Sequence, residues 1–490
     1  MNKPRDLPLA AQQLACHFIG NAWVASAQGR TIPVIDPGSG ELFAEIARGG
    51  GAEIDAAVRA ARGAFEGAWG ALAPAERGRL LAKLAQLIER DAESLARVES
   101  RDVGKPLAQS RRDIAATARY FEFYGGACDK LSGETLPFAA THTVLTFRVP
   151  FGVTGHIVPW NYPSQIFGRS VGAALAAGNA CVLKPPEDAS LALLDIAQLS
   201  LEAGFPAGAL NVVTGYGGEA GAALAAHPGI DHLSFTGSPA TGTAVSQAAA
   251  THHAAVTLEL GGKSPQIVFA DADIDAAVPV IVNAIVQNAG QTCSAGSRLL
   301  IERSAYETVL AKVAERFRAL VCGPAERDFP VGPLVNARQL ERVRAFVARA
   351  QSDGLRCAAQ GAVAPDAPAG GFYHPPMLFA DVPPQHPIAQ EEIFGPVLVA
   401  MAFDSEQEAI ALANGTPYGL VAGVWTRDGA RQMRLARRLQ SGQVFINDYG
   451  AGGGVELPFG GVKKSGHGRE KGWAGLLSFT TLKTVAIKHG

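Results

Sequence analysis

The sequence predicts an α/β chain with two regions of parallel sheet covered by helices and a small β appendage. Three observations carry this. From residue 152 onward the short buried runs "GVTGHIVPW", "NACVLKPP", "LNVVTG", "DHLSFTGS" and "AAVTLELGG" alternate with alanine-rich stretches long enough for a helix, the pattern of right-handed βαβ units. A second region of α/β texture runs from about 260 to 475. Two segments stand apart, "THTVLTFRVP" (141–150) and "LLSFTTLKTVAIKHG" (476–490), both rich in β-branched and apolar residues at partly alternating spacing.

Ahead of the first sheet region, "ERGRLLAKLAQLIERDAESLARVES" (76–100) places Leu80, Leu81, Leu84, Leu87, Ile88, Leu95 and Val98 at helical spacing. One surface helix packed on a core is expected there. With 490 residues, 48% hydrophobic and 18% charged, the chain can bury a large core in two or three domains. A formal net charge of -2 gives no reason to expect a nucleic-acid partner. The start "MNKPRDLPLAAQQLACHFIG" has no basic region followed by an apolar stretch, and "VGAALAAGNACVL" (171–183) is too short and interrupted to span a bilayer. A soluble, cytoplasmic protein without a membrane partner is expected. The cysteines at 16, 128, 181, 293, 322 and 357 lack CxxC or Cys/His ligand spacing, which argues against a disulfide framework and a zinc site. No metal is expected.

In "NAGQTCSAGSR" (288–298), Cys293 has small and polar neighbours, whereas an inert buried cysteine ordinarily has apolar ones. That fits an exposed loop or helix start at a site. Ligands of open parallel sheets bind beyond the carboxyl ends of the strands, and here those ends read "PWNYP" (159–163), "KPPE" (184–187), "FTGS" (235–238) and "LELGG" (258–262). No GxGxxG follows the first strand, and "TGYGGEAG" (214–221) only partly resembles it, so a nucleotide would need another phosphate cradle. "FTGSPATG" offers one, because Gly237, Ser238 and Gly242 open a helix. Glu259, after the apolar run "AAVTL" and before two glycines, is costly to bury without a purpose.

Taken together, "PWNYP", "LAAGNACVLKPPE", "FTGS", "LELGGKSP", "GQTCSAGSR", "EEIFGPV", "YGL" and "PFGGVKKSG" resemble the NAD(P)-dependent aldehyde dehydrogenase superfamily in order and spacing over nearly the full chain. The resemblance implies a Rossmann-like NAD-binding domain (residues 1–129 and 150–259), an α/β catalytic domain (260–475) and a β oligomerisation arm (130–149 and 476–490). It implies that Cys293 attacks the aldehyde, with Asn161 and the Cys293 backbone N–H as oxyanion donors and Glu259 as the general base that hydrolyses the thioester. Relatives that pass the acyl group to coenzyme A generally lack that glutamate, so a free acid is the expected product.

For the cofactor, Lys184 and Glu187 match positions that bind the adenosine ribose, and Glu392 and Phe394 those that hold the nicotinamide ribose; Trp160, Gly237 and Ser238 complete the set. A carboxylate at Glu187 repels a 2'-phosphate, so NAD is expected rather than NADP. Asn447, Gly460 and Gly461 match positions that shape the active-site loops. Arg169 falls where many members carry an aromatic residue but semialdehyde-oxidising and some benzaldehyde-oxidising members carry arginine, and Ser170 stands where lysine is common. Arg169 and Tyr162 are therefore expected to face the substrate, with Arg169 favouring aldehydes that have a polar or carboxylate tail. The arm implies a homodimer or homotetramer. Two other readings compete: a cysteine hydrolase using Cys293 and Glu259, and a catalytically silent scaffold.

Overall fold

The computed structural model describes residues 9–450 and 454–489. Residues 1–8 of the expected first region, 451–453 of the "GAGGGVELPFGG" loop and 490 of the expected arm lie outside the described residues. The first sheet has a parallel centre in the order Leu210–Val212, Ala180–Lys184, Val153–Ile157, His232–Thr236 and Ala255–Glu259. Apart from the first two residues of Ala255–Glu259, these strands are buried throughout, as expected of parallel strands covered on both faces. Their register aligns Ile157 with Lys184 and Thr236 with Glu259. The motifs that follow the strands therefore emerge along one edge.

Two strands at the other end of this sheet, Cys16–Ile19 and Ala22–Ala25, were not expected from the sequence. Their turn is Gly20-Asn21, both at positive φ, a two-residue hairpin signal present in the chain. At the opposite edge Gly466–His467 pairs antiparallel with Leu258 and Glu259. The chain from the second region thus returns to the first sheet beside Glu259.

The second sheet runs Arg356–Gln360, Met377–Ala380, Val397–Phe403, Arg298–Glu302, Pro265–Val268, Val421–Trp425 and Gln443–Ile446, parallel except at the first strand. Each large sheet has its own apolar core. A small third cluster, including Leu420, Tyr449 and Phe459, backs Cys293.

The expected single helix over 76–100 is two, Pro74–Arg90 and Ala92–Val103. The chain breaks at Asp91 (φ -101, ψ 14), which ends one helix and caps the next, so the apolar spacing continues while the axis changes. The two segments that stood apart pair over nine residues, His142–Pro150 against Thr480–Lys488, with the short Thr135–Leu136 strand alongside. Among the described residues no helix is long and apolar enough to cross a membrane, and all six cysteines are free.

Candidate active site

Cys293 follows a sharp reversal in which Asn288, Ala289 and Gly290 all take positive φ (47°, 53° and 75°). An alanine in that region is strained, so surrounding contacts must hold the loop. They do so from several elements. Asn288 donates from its backbone N–H to Gln109 Oε1 at 3.0 Å and from Nδ2 to Asn161 O at 2.9 Å. Gln291 Oε1 accepts from Val335 N at 2.9 Å, and the Gln291 carbonyl accepts from Asn161 Nδ2 at 3.0 Å. Thr292 Oγ1 lies 2.9 Å from the Tyr162 hydroxyl, and Tyr449 donates to the carbonyl of Ser294. Gln109, Asn288, Gln291 and Tyr449 were not singled out from sequence. A buried amide with a scaffolding task has no signature of its own.

Two cavities meet at the thiol. One, of about 620 Å3, is lined by Tyr120, Tyr162, Arg169, Thr292, Tyr449 and Phe459 among others. The second, of about 330 Å3, is lined by Trp160, Asn161, Gly237, Ser238, Glu259, Glu392 and Phe394 among others. Among the described residues Cys293 is the one that lines both. Burial pushes its thiol up to about 12, so the resting group is protonated.

Glu259 ends its strand at 1% exposure, and neither carboxylate oxygen has a hydrogen-bond partner among the described residues. Burial first, and the nearby Glu470 carboxylate second, raise its carboxyl well above the usual range. A Cβ at Gly460 would stand 2.7 Å from Glu259 Oε1, so the glycine leaves the carboxylate room. Gly261 does the same for Glu392, whose Oε2 lies 2.2 Å from where its Cβ would be.

Glu392 Oε1 accepts from Gly262 N at 2.9 Å, and burial pushes its carboxyl up to about 7. Phe394, at φ 62, is held by Gln339, which donates to its carbonyl at 2.7 Å, and its ring meets Trp160 edge to face at 5.3 Å. Ser238 caps the Pro239–Ala250 helix, accepting from Thr241 N at 3.3 Å. Lys184 and Glu187 pair at 2.6 Å outside the walls of the 330 Å3 cavity. Burial opposes the Glu187 carboxylate, but Lys184 together with the backbone N–H groups of Glu187 and Gly217 holds it below its ordinary value.

Arg169 does line the larger cavity, yet it is buried and ion-paired with Glu470, its guanidinium 4.9 Å from the Phe459 ring centroid. Ser170 donates back to the Ile166 carbonyl at 2.9 Å. Glu470 and Lys471 come from the loop after Gly466–His467; sequence reasoning missed both, because nothing in "GREKG" reveals that the chain recrosses to this site.

The description "Aldehyde dehydrogenase family" matches residues 23–485. The chain belongs to the aldehyde dehydrogenase family. It is 42% identical over 472 residues to hydroxyisobutyraldehyde dehydrogenase of Mycolicibacterium austroafricanum, covering 96% of this chain and 93% of that one. A solved Burkholderia cenocepacia protein designated an aldehyde dehydrogenase is 67% identical, with TM-score 0.97 over 97% of this chain and 100% of the other. The NAD+ complex of a Bacillus cereus aldehyde dehydrogenase superposes with TM-score 0.94 at 41% identity, covering 97% and 96%.

Proposed function

We propose that this aldehyde dehydrogenase oxidises an aldehyde to the carboxylic acid with NAD, and that Cys293, Asn161 and Glu259 carry the chemistry. The observation that carries the reading is the thiol at the meeting point of two cavities, one for each reactant. The smaller cavity fits the nicotinamide end of a dinucleotide: Thr236 Oγ1 and both Glu259 oxygens line it, buried and without partners among the described residues, and Trp160 and Phe394 give it aromatic walls. Glu392 and Phe394 would hold one ribose, Lys184 and Glu187 the other, and Gly237 and Ser238 would flank the phosphates at the helix start. A carboxylate at Glu187 favours NAD over NADP.

Cys293 Sγ, once deprotonated, attacks the aldehyde carbon and forms a thiohemiacetal. The oxygen that gains charge is met by the Cys293 backbone N–H and by Asn161 Nδ2, which uses one N–H on the Gln291 carbonyl and has the other left to give. Bound NAD supplies the hydride acceptor that turns this adduct into a thioester. Glu259 then takes a proton from the water that attacks the thioester, a task suited to a carboxyl held well above its usual range. The acid leaves and the thiol is restored.

Arg169 and Tyr162 form the wall of the substrate cavity near the thiol, where an aromatic aldehyde or a semialdehyde is accommodated. The paired strands 142–150 and 480–488 serve a homodimer or homotetramer, and the six free cysteines suit a cytoplasmic setting. The test is NADH formation by the purified chain against aliphatic, aromatic and carboxylate-bearing aldehydes, with NADP in parallel. Turnover with NAD that Cys293→Ala abolishes is expected; a Cys293→Ala variant that still turns over would overturn the assignment.

A further inference from the structure

The substrate cavity adjoins a second chamber that the chemistry above does not use. This chamber, of about 480 Å3, shares Gln109, Arg112, Asn283 and Gln287 with the 620 Å3 cavity, so the two are contiguous. Much of its wall is apolar, with Pro279, Val282 and Val286 contributed by one helix and Phe329 and Pro330 by a loop. Three charged residues line it: Arg112, Arg316 and Asp328. Asp328 is engaged, accepting from Ala108 N at 2.6 Å and lying 3.9 Å from Arg111.

Neither Arg112 nor Arg316 forms an ion pair among the described residues. The other guanidiniums of the combined space are neutralised, Arg119 by Glu122 and Glu456, and Arg169 by Glu470. Arg112, where the two spaces meet, and Arg316, which lines the outer one alone, are both exposed and carry no carboxylate partner among the described residues. Guanidinium matches carboxylate geometry through paired N–H donors.

We propose that the 480 Å3 chamber is a substrate subsite that takes the far end of an extended aldehyde bearing a terminal carboxylate, held by Arg112 and Arg316. The proposal rests on Cys293 being the nucleophile. It moves tail recognition from Arg169, whose charge is already met, to the outer chamber.

The test compares kcat/KM for a nine-carbon ω-oxo carboxylate with that for the neutral nine-carbon aldehyde, and the same ratio for a four-carbon pair, which stays within the inner cavity. In the wild type the long acid is preferred. Arg316→Ala, at a residue that lines the outer chamber alone, lowers the long-pair ratio by about fivefold and moves the short-pair ratio by less than about twofold, and Arg316→Lys recovers part of the loss. A long-pair ratio unchanged by Arg316→Ala, or an equal loss in the short pair, overturns the subsite. Oxidation of no aldehyde at all by the wild type would instead overturn the proposed function, and the subsite with it.

Discussion

Glu259 sits where it costs stability and supplies chemistry. Its two oxygens are buried without partners among the described residues, and its carboxyl is raised above the usual range by burial and by Glu470. A group whose folded pKa is raised stabilises fully below its unfolded value, near ~4.3 for a glutamate, and that contribution is lost as pH rises through the folded value. Glu259→Gln removes the titration. It is expected to gain about 1–3 kcal/mol at pH 8 and much less at pH 5, the size of an unpartnered buried group's cost. Thioester hydrolysis should fall about 100- to 10000-fold while the first turnover of NADH persists as a burst. Thermal melts at the two pH values and stopped-flow absorbance check the pair; an equal gain at both pH values, or a lost burst, would refute the role. Arg169 shows the limit of residue-level reading. Its place in the cavity wall was legible from the family position it matches, eight residues after Asn161, but its Glu470 partner arrives from 301 positions further on.

Elements were legible where pattern is local, and less so where one residue interrupts it. The βαβ run from 152 was readable because apolar strands and alanine-rich helices alternate there, and the strand ends carry "PWNYP", "FTGS" and "LELGG". The helix break at Asp91 was not, since Leu95 and Val98 keep the apolar spacing across it. The Gly20-Asn21 hairpin was readable in principle but is short and lies ahead of the main pattern. The arm is a different case, because its segments are clear in sequence but the second subunit proposed to cover it lies outside this chain. Its strand 480–488 exposes Leu482 and Ile487 at 53% and 47%, and the facing strand exposes Phe147 at 45%. A narrow sheet with apolar groups in water is marginal alone and presents a free edge. Leu482→Asp with Ile487→Asp is expected to shift the chain to a smaller species in light scattering at micromolar concentration, with its own fold intact by circular dichroism. A wild type already monomeric would remove the arm's role.

For the molecule as a whole, two buried populations push stability in opposite directions as pH changes. Burial lowers His17 to about 4 and His156 and His232 to about 3. These must stay neutral in the fold, so their contribution is present above ~6.5 and is lost as pH falls toward the folded values. Burial raises Asp195 to about 8, with Asp91 adding to it, and Asp102 well above its ordinary value. Those carboxyls favour the fold below ~3.9 and lose that contribution as pH rises through the folded values. Between the limits the slopes oppose, and single substitutions separate them. Asp195→Asn should gain stability over the wild type at pH 8 by about 3 kcal/mol more than at pH 5. His156→Gln, which keeps a polar group toward Thr154 but cannot titrate, should lose stability at pH 8 through packing against Phe479, and its deficit should shrink by about 2 kcal/mol at pH 5. Denaturant titrations of the three proteins at both pH values decide this. Differences that do not change between pH 5 and pH 8 would mean that these groups titrate alike in the folded and unfolded chain, and that the acid and alkaline limbs arise from the exposed charges instead.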